Sequence, residues 1–261
     1  MADNNEARKN EPQDASRRNF LKYTGTALGG VVVGGVIGGL IGANTNRETE
    51  QPPNQSNEAA PGESNNKDYN QALMFLTQSQ FQTTQAAAER IFPEDESGPG
   101  AKTLGVAYFI DHQLAGSWGI NARDYMMGPF YEAEAEQGYQ LSFKRHELFT
   151  LGLKGLEDYS KNKFNNPFTA LKAEQQDEVL TAFAENKADI KGLPAATFFN
   201  LLRQLTIEGV YADPLYGGNK NMDGWRMRSY PGNQYSYYND IEKDEFLKIE
   251  PLSLHDHLNL G

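Results

Sequence analysis

Hydrophobic and polar positions divide the chain into two regimes. Residues 23–46, YTGTALGGVVVGGVIGGLIGANTN, contain no charged side chain. From Asp68 onward, apolar residues instead return at three- and four-residue steps among polar ones, the period of helices that bury one face. Leu73, Leu76, Phe81, Ala88 and Ile91 mark a first helix, capped by Asp68 and closing before Phe92 and Pro93. Leu104, Ala107, Tyr108, Ile110 and Leu114 mark a second over residues 101–118, with Gly116 and Gly119 as stops. Residues 121–138, NARDYMMGPFYEAEAEQG, are turn-rich and aromatic and read as a packed irregular loop. Three further helices are predicted. Phe143, Leu148, Leu151, Leu156 and Tyr159 place one over 142–159, and Leu171, Val179, Leu180 and Phe183 place another over 169–186. The last, over 194–208, has Pro194 at its first turn and Phe198, Leu201, Leu202 and Leu205 as its buried stripe. No run alternates with period two. The pattern predicts an all-α fold: a compact multi-helix domain over 68–261 with a long loop rich in glycine and aromatics.

The charge-free stretch has the layout of a targeting segment, because polar residues 1–22 precede it. Within them stands SRRNFLK, where Ser16, Arg17, Arg18, Phe20, Leu21 and Lys22 match the twin-arginine export consensus. Frequent glycine lowers the apolar character of the stretch, which suits that route. The stretch is also long enough to cross a bilayer as a helix, with Gly30, Gly34, Gly38 and Gly42 on one face. Residues 1–46 therefore read as a twin-arginine signal, cleaved near Ile41-Gly42-Ala43, or as a retained membrane anchor. Both place the domain on the extracytoplasmic face of the cytoplasmic membrane, delivered by the twin-arginine translocase. Residues 47–67, RETEQPPNQSNEAAPGESNNK, have almost nothing apolar to bury and read as a disordered linker.

Charge narrows the partners. The formal net charge is −11, and the residues after 46 carry 31 acidic against 19 basic side chains. Contact with phosphates needs clustered Lys and Arg, so nucleic acid is excluded as a partner. The absence of cysteine removes disulfides, thiolate zinc, iron–sulfur clusters and covalent haem attachment. His146-Glu147 opens like a zincin helix, but Thr150 stands where the second histidine must be. His255-Asp256-His257 lacks an evident third ligand and reads as a solvated tail, and His112 beside Asp111 as a surface or capping pair. Residues 97–103, SGPGAKT, end like a phosphate loop but lack its glycine–lysine adjacency and the preceding strand. Beyond the leader there is no G-x-G-x-x-G, so no cofactor is expected in this chain. Two classes of function stay open: an interaction protein, or a stand-alone enzyme or ligand-binding domain with Asp111, His112, Glu208 and Asp213 lining a pocket.

Glycine and aromatic density peaks over residues 206–232, TIEGVYADPLYGGNKNMDGWRMRSYPG. Such density builds a rigid loop in which main chain approaches main chain. It reads equally as a seal on the helical core and as a contact surface. In the second reading Tyr211, Tyr216, Trp225 and Tyr230 are the anchors, and Asp213, Pro214, Gly217, Gly218, Asn219 and Gly224 shape the loop around them. The longer run FFNLLRQLTIEGVYADPLYGGNKNMDGWRMRSYPG, 198–232, resembles the gluconate 2-dehydrogenase subunit 3 family. The run AAAERIFPEDESGPGAKTLGVAYFIDHQLAG, 86–116, supports it. The resemblance implies a membrane-bound assembly of a large FAD-containing dehydrogenase subunit, a cytochrome c subunit with haem c, and this small accessory subunit. It assigns no catalytic, cofactor-binding or metal residue to this chain. It also implies a substrate of the complex among sugars, sugar acids and alcohols. A flavoprotein that takes up its cofactor in the cytoplasm must cross the membrane folded, and a small partner bearing the twin-arginine leader can carry it. The tail from Asn233 lies outside the resemblance.

Overall fold

The computed structural model describes residues 71–131, 139–238, 240–245 and 247–258. Residues 1–46, read above as a twin-arginine leader, and residues 47–67, read as a linker, lie outside these residues. Five longer helices form the body: α1 Gln78–Ile91, α2 Val106–Ala115, α3 Arg145–Phe164, α4 Ala173–Ala184 and α5 Ala195–Tyr211. Two short ones follow, α6 Asp223–Arg226 and α7 Leu254–Leu258. The described residues contain no strand, only two isolated bridges, so the fold is all-α as the periodicity predicts. Among them no helix is long and apolar enough to cross a membrane.

Several boundaries differ from those read in the sequence, each for a physical reason. α1 begins at Gln78 because Thr77 and Gln80 form a capping box: the Gln80 N–H reaches the Thr77 hydroxyl at 3.3 Å, and the Gln80 side chain accepts the Thr77 N–H at 3.0 Å. Asp68, read above as its cap, lies outside the described residues, and Leu73 and Leu76 precede the helix. α2 starts only at Val106, since Gly105 lies in the left-handed region at φ 72°. α3 extends to Phe164, where Asn165 at φ 56° terminates it. The stretch before α4 is a separate 3-10 turn, Phe168–Ala170.

α5 is the central helix, with α1, α2, α3 and α4 all packed on it. Its stripe of Phe198, Leu202 and Leu205 is fully buried. Each such side chain contributes roughly 1.5–3 kcal/mol by leaving water. Phe198 meets Phe149 of α3 edge-on at 5.4 Å and Phe183 of α4 at 6.0 Å. Gly152 permits this approach, because a Cβ there would collide with the Phe198 ring.

The link from α2 to α3 is anchored at its base and open at its tip. The Arg145 guanidinium sits 4.7 Å from both the Trp118 and the Tyr139 rings and pairs with Asp124. Asn121 accepts the Arg145 N–H at 2.8 Å, holding the start of α3. Tyr139 donates its hydroxyl hydrogen to the Phe143 carbonyl, and burial pushes its pKa up to about 12 against the opposing pull of Arg145. The sequence predicts a packed loop here, yet Tyr125, Met127 and Tyr131 project into solvent.

Candidate partner interface

The glycine- and aromatic-rich segment begins where α5 ends. Asp213 accepts the Leu215 N–H at 3.0 Å and caps a 3-10 turn, Pro214–Tyr216. Gly217 closes that turn at φ 100°, a left-handed conformation that a side chain disfavours. Gly218 then lies on the α5 backbone so closely that a Cβ would strike the Gly209 carbonyl oxygen. Asn219, fully buried, staples the loop: its Nδ2 donates to the Ala212 carbonyl at 2.8 Å and its Oδ1 accepts the Gly224 N–H at 2.8 Å. The Lys220 N–H reaches the Leu104 carbonyl at 3.1 Å and ties the loop to the α1–α2 link.

α6 brings Gly224 against the Val210 carbonyl oxygen, where no Cβ fits, and turns Trp225 inward. The indole is 5 % exposed, donates its N–H to the Tyr211 carbonyl at 2.8 Å, and meets the Tyr230 ring edge-on at 5.4 Å. This bond satisfies a carbonyl that the last turn of α5 leaves without an intrahelical partner.

The segment therefore divides. Gly218, Asn219, Gly224 and Trp225 face the body and seal the end of α5. Tyr211, Asp213, Pro214 and Gly217 are half-buried, with the Arg228 guanidinium 5.6 Å from the Tyr211 ring. Tyr216 and Tyr230 remain outside, 48 % and 50 % exposed. Within this chain Trp225 is a core residue, and the aromatic surface of the segment belongs to Tyr216 and Tyr230.

The four polar residues that could have lined one pocket do not come together. Asp111, fully buried, accepts three backbone N–H groups, from Met74 at 2.6 Å, Phe75 at 3.1 Å and Leu76 at 2.6 Å. It fixes the bent stretch 74–76 ahead of α1. His112 Nε2–H donates to the Ala72 carbonyl at 2.9 Å. Glu208 is exposed and holds the Gln204 amide at 2.8 Å. The second oxygen of Asp213 accepts the Leu254 N–H at 2.8 Å. A cleft of about 330 Å³ does lie between the loop and the α1–α2 link, but Lys102, Thr103, Tyr108, Pro214 and Lys220 line it, and none of the four.

Of the C-terminal histidines His255 is exposed, whereas His257 is tied to the body and is not part of a solvated tail. His257 Nε2–H donates to the Asn233 carbonyl at 2.6 Å, and its ring lies 3.9 Å from that of Tyr235. Asp256 accepts both the N–H and the hydroxyl of Ser253 at 2.8 Å, and these bonds, the backbone one foremost, hold its carboxyl below the usual range. His146 stacks on Phe75 at 5.4 Å, and its own carbonyl accepts the Thr150 hydroxyl at 2.9 Å. The role of Asp111 left one trace in the sequence: a carboxylate between Ile110 and Leu114 on an apolar helix, a position that demands hydrogen-bond partners.

Comparison with curated proteins and with solved structures gave no match. The family model described as gluconate 2-dehydrogenase subunit 3 matches residues 78–232, which span α1 through the sealing loop. That match covers more than half of the sequence, so the chain belongs to the gluconate 2-dehydrogenase subunit 3 family and is a subunit of a gluconate 2-dehydrogenase-like complex.

Proposed function

We propose that the chain is the non-catalytic small subunit of an exported, FAD-dependent dehydrogenase complex acting on a sugar, sugar acid or alcohol. Its large partner holds the FAD, and a cytochrome c subunit with haem c passes the electrons on. The small subunit escorts the folded flavoprotein through the twin-arginine pathway and then stabilises it on the extracytoplasmic face, with residues 23–46 as signal or anchor. The observation that carries this reading is the use of the polar groups. Asp111, His112, Asp213, Asn219 and His257 all bond main-chain groups, so they act as fasteners within the fold. Aromatic side chains, by contrast, are turned outward at Tyr216 and Tyr230. Family membership supports association with other subunits of such a complex, and the paired Arg17 and Arg18 support the export route.

Replacing Arg17 and Arg18 by lysine in the full chain tests the proposal. The large subunit, followed by its flavin and by dye-linked dehydrogenase activity, should remain in the cytoplasm with the small one. Export and full activity of the large subunit in cells that lack this chain would refute it.

A further inference from the structure

Residues 234–250 leave the helical body and return to it through a clasp. On the outgoing side Gly232 bridges to Leu252, the Asn233 N–H donates to the Leu252 carbonyl at 2.7 Å, and the Leu252 N–H donates to the Pro231 carbonyl at 3.3 Å. On the returning side Asp213 takes the Leu254 N–H, the Ser253 hydroxyl caps α7 by accepting the Asp256 N–H, and His257 reaches back to Asn233. Pro251 and Ser253 are buried at the junction. A surface loop with its ends held together in this way is presented outward as one unit, and such loops are a frequent seat of function.

Its side chains add little to the core. Tyr235 is 78 % exposed, Tyr238 84 % and Ile241 78 %, and Tyr237 and Leu247 are exposed as well. Ordering a loop costs conformational entropy, and contiguous exposed apolar side chains mark contact sites. We infer that this clasped loop is a docking element for the large dehydrogenase subunit and seats in a basic, apolar groove of that subunit. The inference rests on the complex proposed above.

Charge selects the occupant. Residues 234–250 carry five acidic side chains, Asp240, Glu242, Asp244, Glu245 and Glu250, against the two of Lys243 and Lys248. Asp240 pairs with Lys243, and Arg226 approaches Glu250 at 3.4 Å. Glu242, Asp244 and Glu245 stand exposed beside the aromatic positions. An anionic bilayer repels such a surface, as does nucleic acid. A second copy of this chain, itself at −11, would set like charges face to face across a twofold contact. A groove lined by Lys or Arg and apolar residues satisfies both the charge and the tyrosines. The family match ends at residue 232, so the matched body supplies Asp213, Trp225 and Gly232 to the clasp while the loop lies beyond it. That division suits an element fitted to one particular partner.

The test uses the full chain co-expressed with the large flavoprotein subunit, with affinity measured by titration of the separated subunits. Tyr238→Ser, Ile241→Ser and Leu247→Ser together should raise the dissociation constant about 30-fold or more. Glu242→Lys, Asp244→Lys and Glu245→Lys together should slow association about tenfold and flatten its salt dependence. Both variants should keep the Tm of the free subunit, since the altered side chains lie outside the core. Lys154→Ala with Asp158→Ala, on the exposed face of α3, should change none of these. Unchanged affinity in both loop variants, with the wild-type complex intact, overturns the inference and leaves the escort role standing. If the wild-type chain forms no complex, the escort role itself falls, and the inference with it. Binding to phosphatidylcholine–phosphatidylglycerol vesicles that the serine variant alone loses, with the complex unaffected, overturns the inference in favour of a bilayer. Self-association in sedimentation that the same variant alone loses overturns it in favour of a second copy.

Discussion

Trp225→Ala separates two roles that the sequence alone leaves equal, a seal on the core and an anchor for a partner. The indole is 5 % exposed, and an aromatic of this class buries on the order of 150–250 Å². At roughly 25 cal/mol per Å² that is about 4–6 kcal/mol of transfer free energy, in line with the ~3–5 kcal/mol typical of large aromatic-to-alanine changes. Loss of the indole N–H also leaves the Tyr211 carbonyl unpaired at the end of α5, worth roughly another 1 kcal/mol. Tyr230 and Gly232 pack on the same ring, so the clasp that holds the C-terminal loop loosens with it. Against a total stability of about 5–15 kcal/mol, the alanine variant should be severely destabilised. Trp225→Phe keeps most of the buried area and forfeits the hydrogen bond, a cost of about 1–2 kcal/mol. Urea unfolding followed by far-ultraviolet circular dichroism measures both, since fluorescence would change with the indole itself. Partner affinity, measured where each variant is still folded, should then fall in the order of stability. An alanine variant within ~1 kcal/mol of wild type that no longer binds the large subunit would refute the reasoning, because it would make Trp225 an anchor that swings outward.

Three other expectations follow from the same geometry. Asp111→Asn presents an NH₂ group where the Met74 N–H now donates, so it should cost about 2–3 kcal/mol in the same urea titration. Asp111→Ala, which orphans all three N–H groups, should cost more. Gly224→Ala forces a Cβ into the Val210 carbonyl oxygen and displaces α6, and should lower the Tm by several degrees, whereas Gly128→Ala, with nothing closer than 3.6 Å, should not. Tyr139 has a folded-state pKa raised to about 12, chiefly by burial, above an unfolded value of about 10. Because the unfolded state then ionises first, its contribution is fully present below pH ~10 and is lost as the pH rises from there through about 12. The phenolate difference spectrum between wild type and Tyr139→Phe should show one late-titrating tyrosine.

What the sequence made legible, and what it did not, follows from the range of the forces involved. The stripe of Phe198, Leu202 and Leu205 could be read as a buried helix face because its period is local and its burial strong. Leu73 and Leu76 fit the same period and still lie outside α1, because a carboxylate 35 residues or more away, Asp111, gathers the N–H groups of 74–76 and holds them in a bend. No window of local sequence contains that bond. The density of glycine over 206–232 likewise announced close backbone approach without saying which way Trp225 turns, a choice settled by the free Tyr211 carbonyl at the end of α5. The C-terminal tail was least legible of all. Its short helix has too few residues for a period, and its fasteners, Asp213 to Leu254 and His257 to Asn233, span 41 and 24 positions. These are the contacts that hold the acidic aromatic loop outward. In a subunit whose polar groups fasten its own backbone, core-forming residues announce themselves by period, whereas the surface offered to a partner emerges only once the long-range bonds that present it are known.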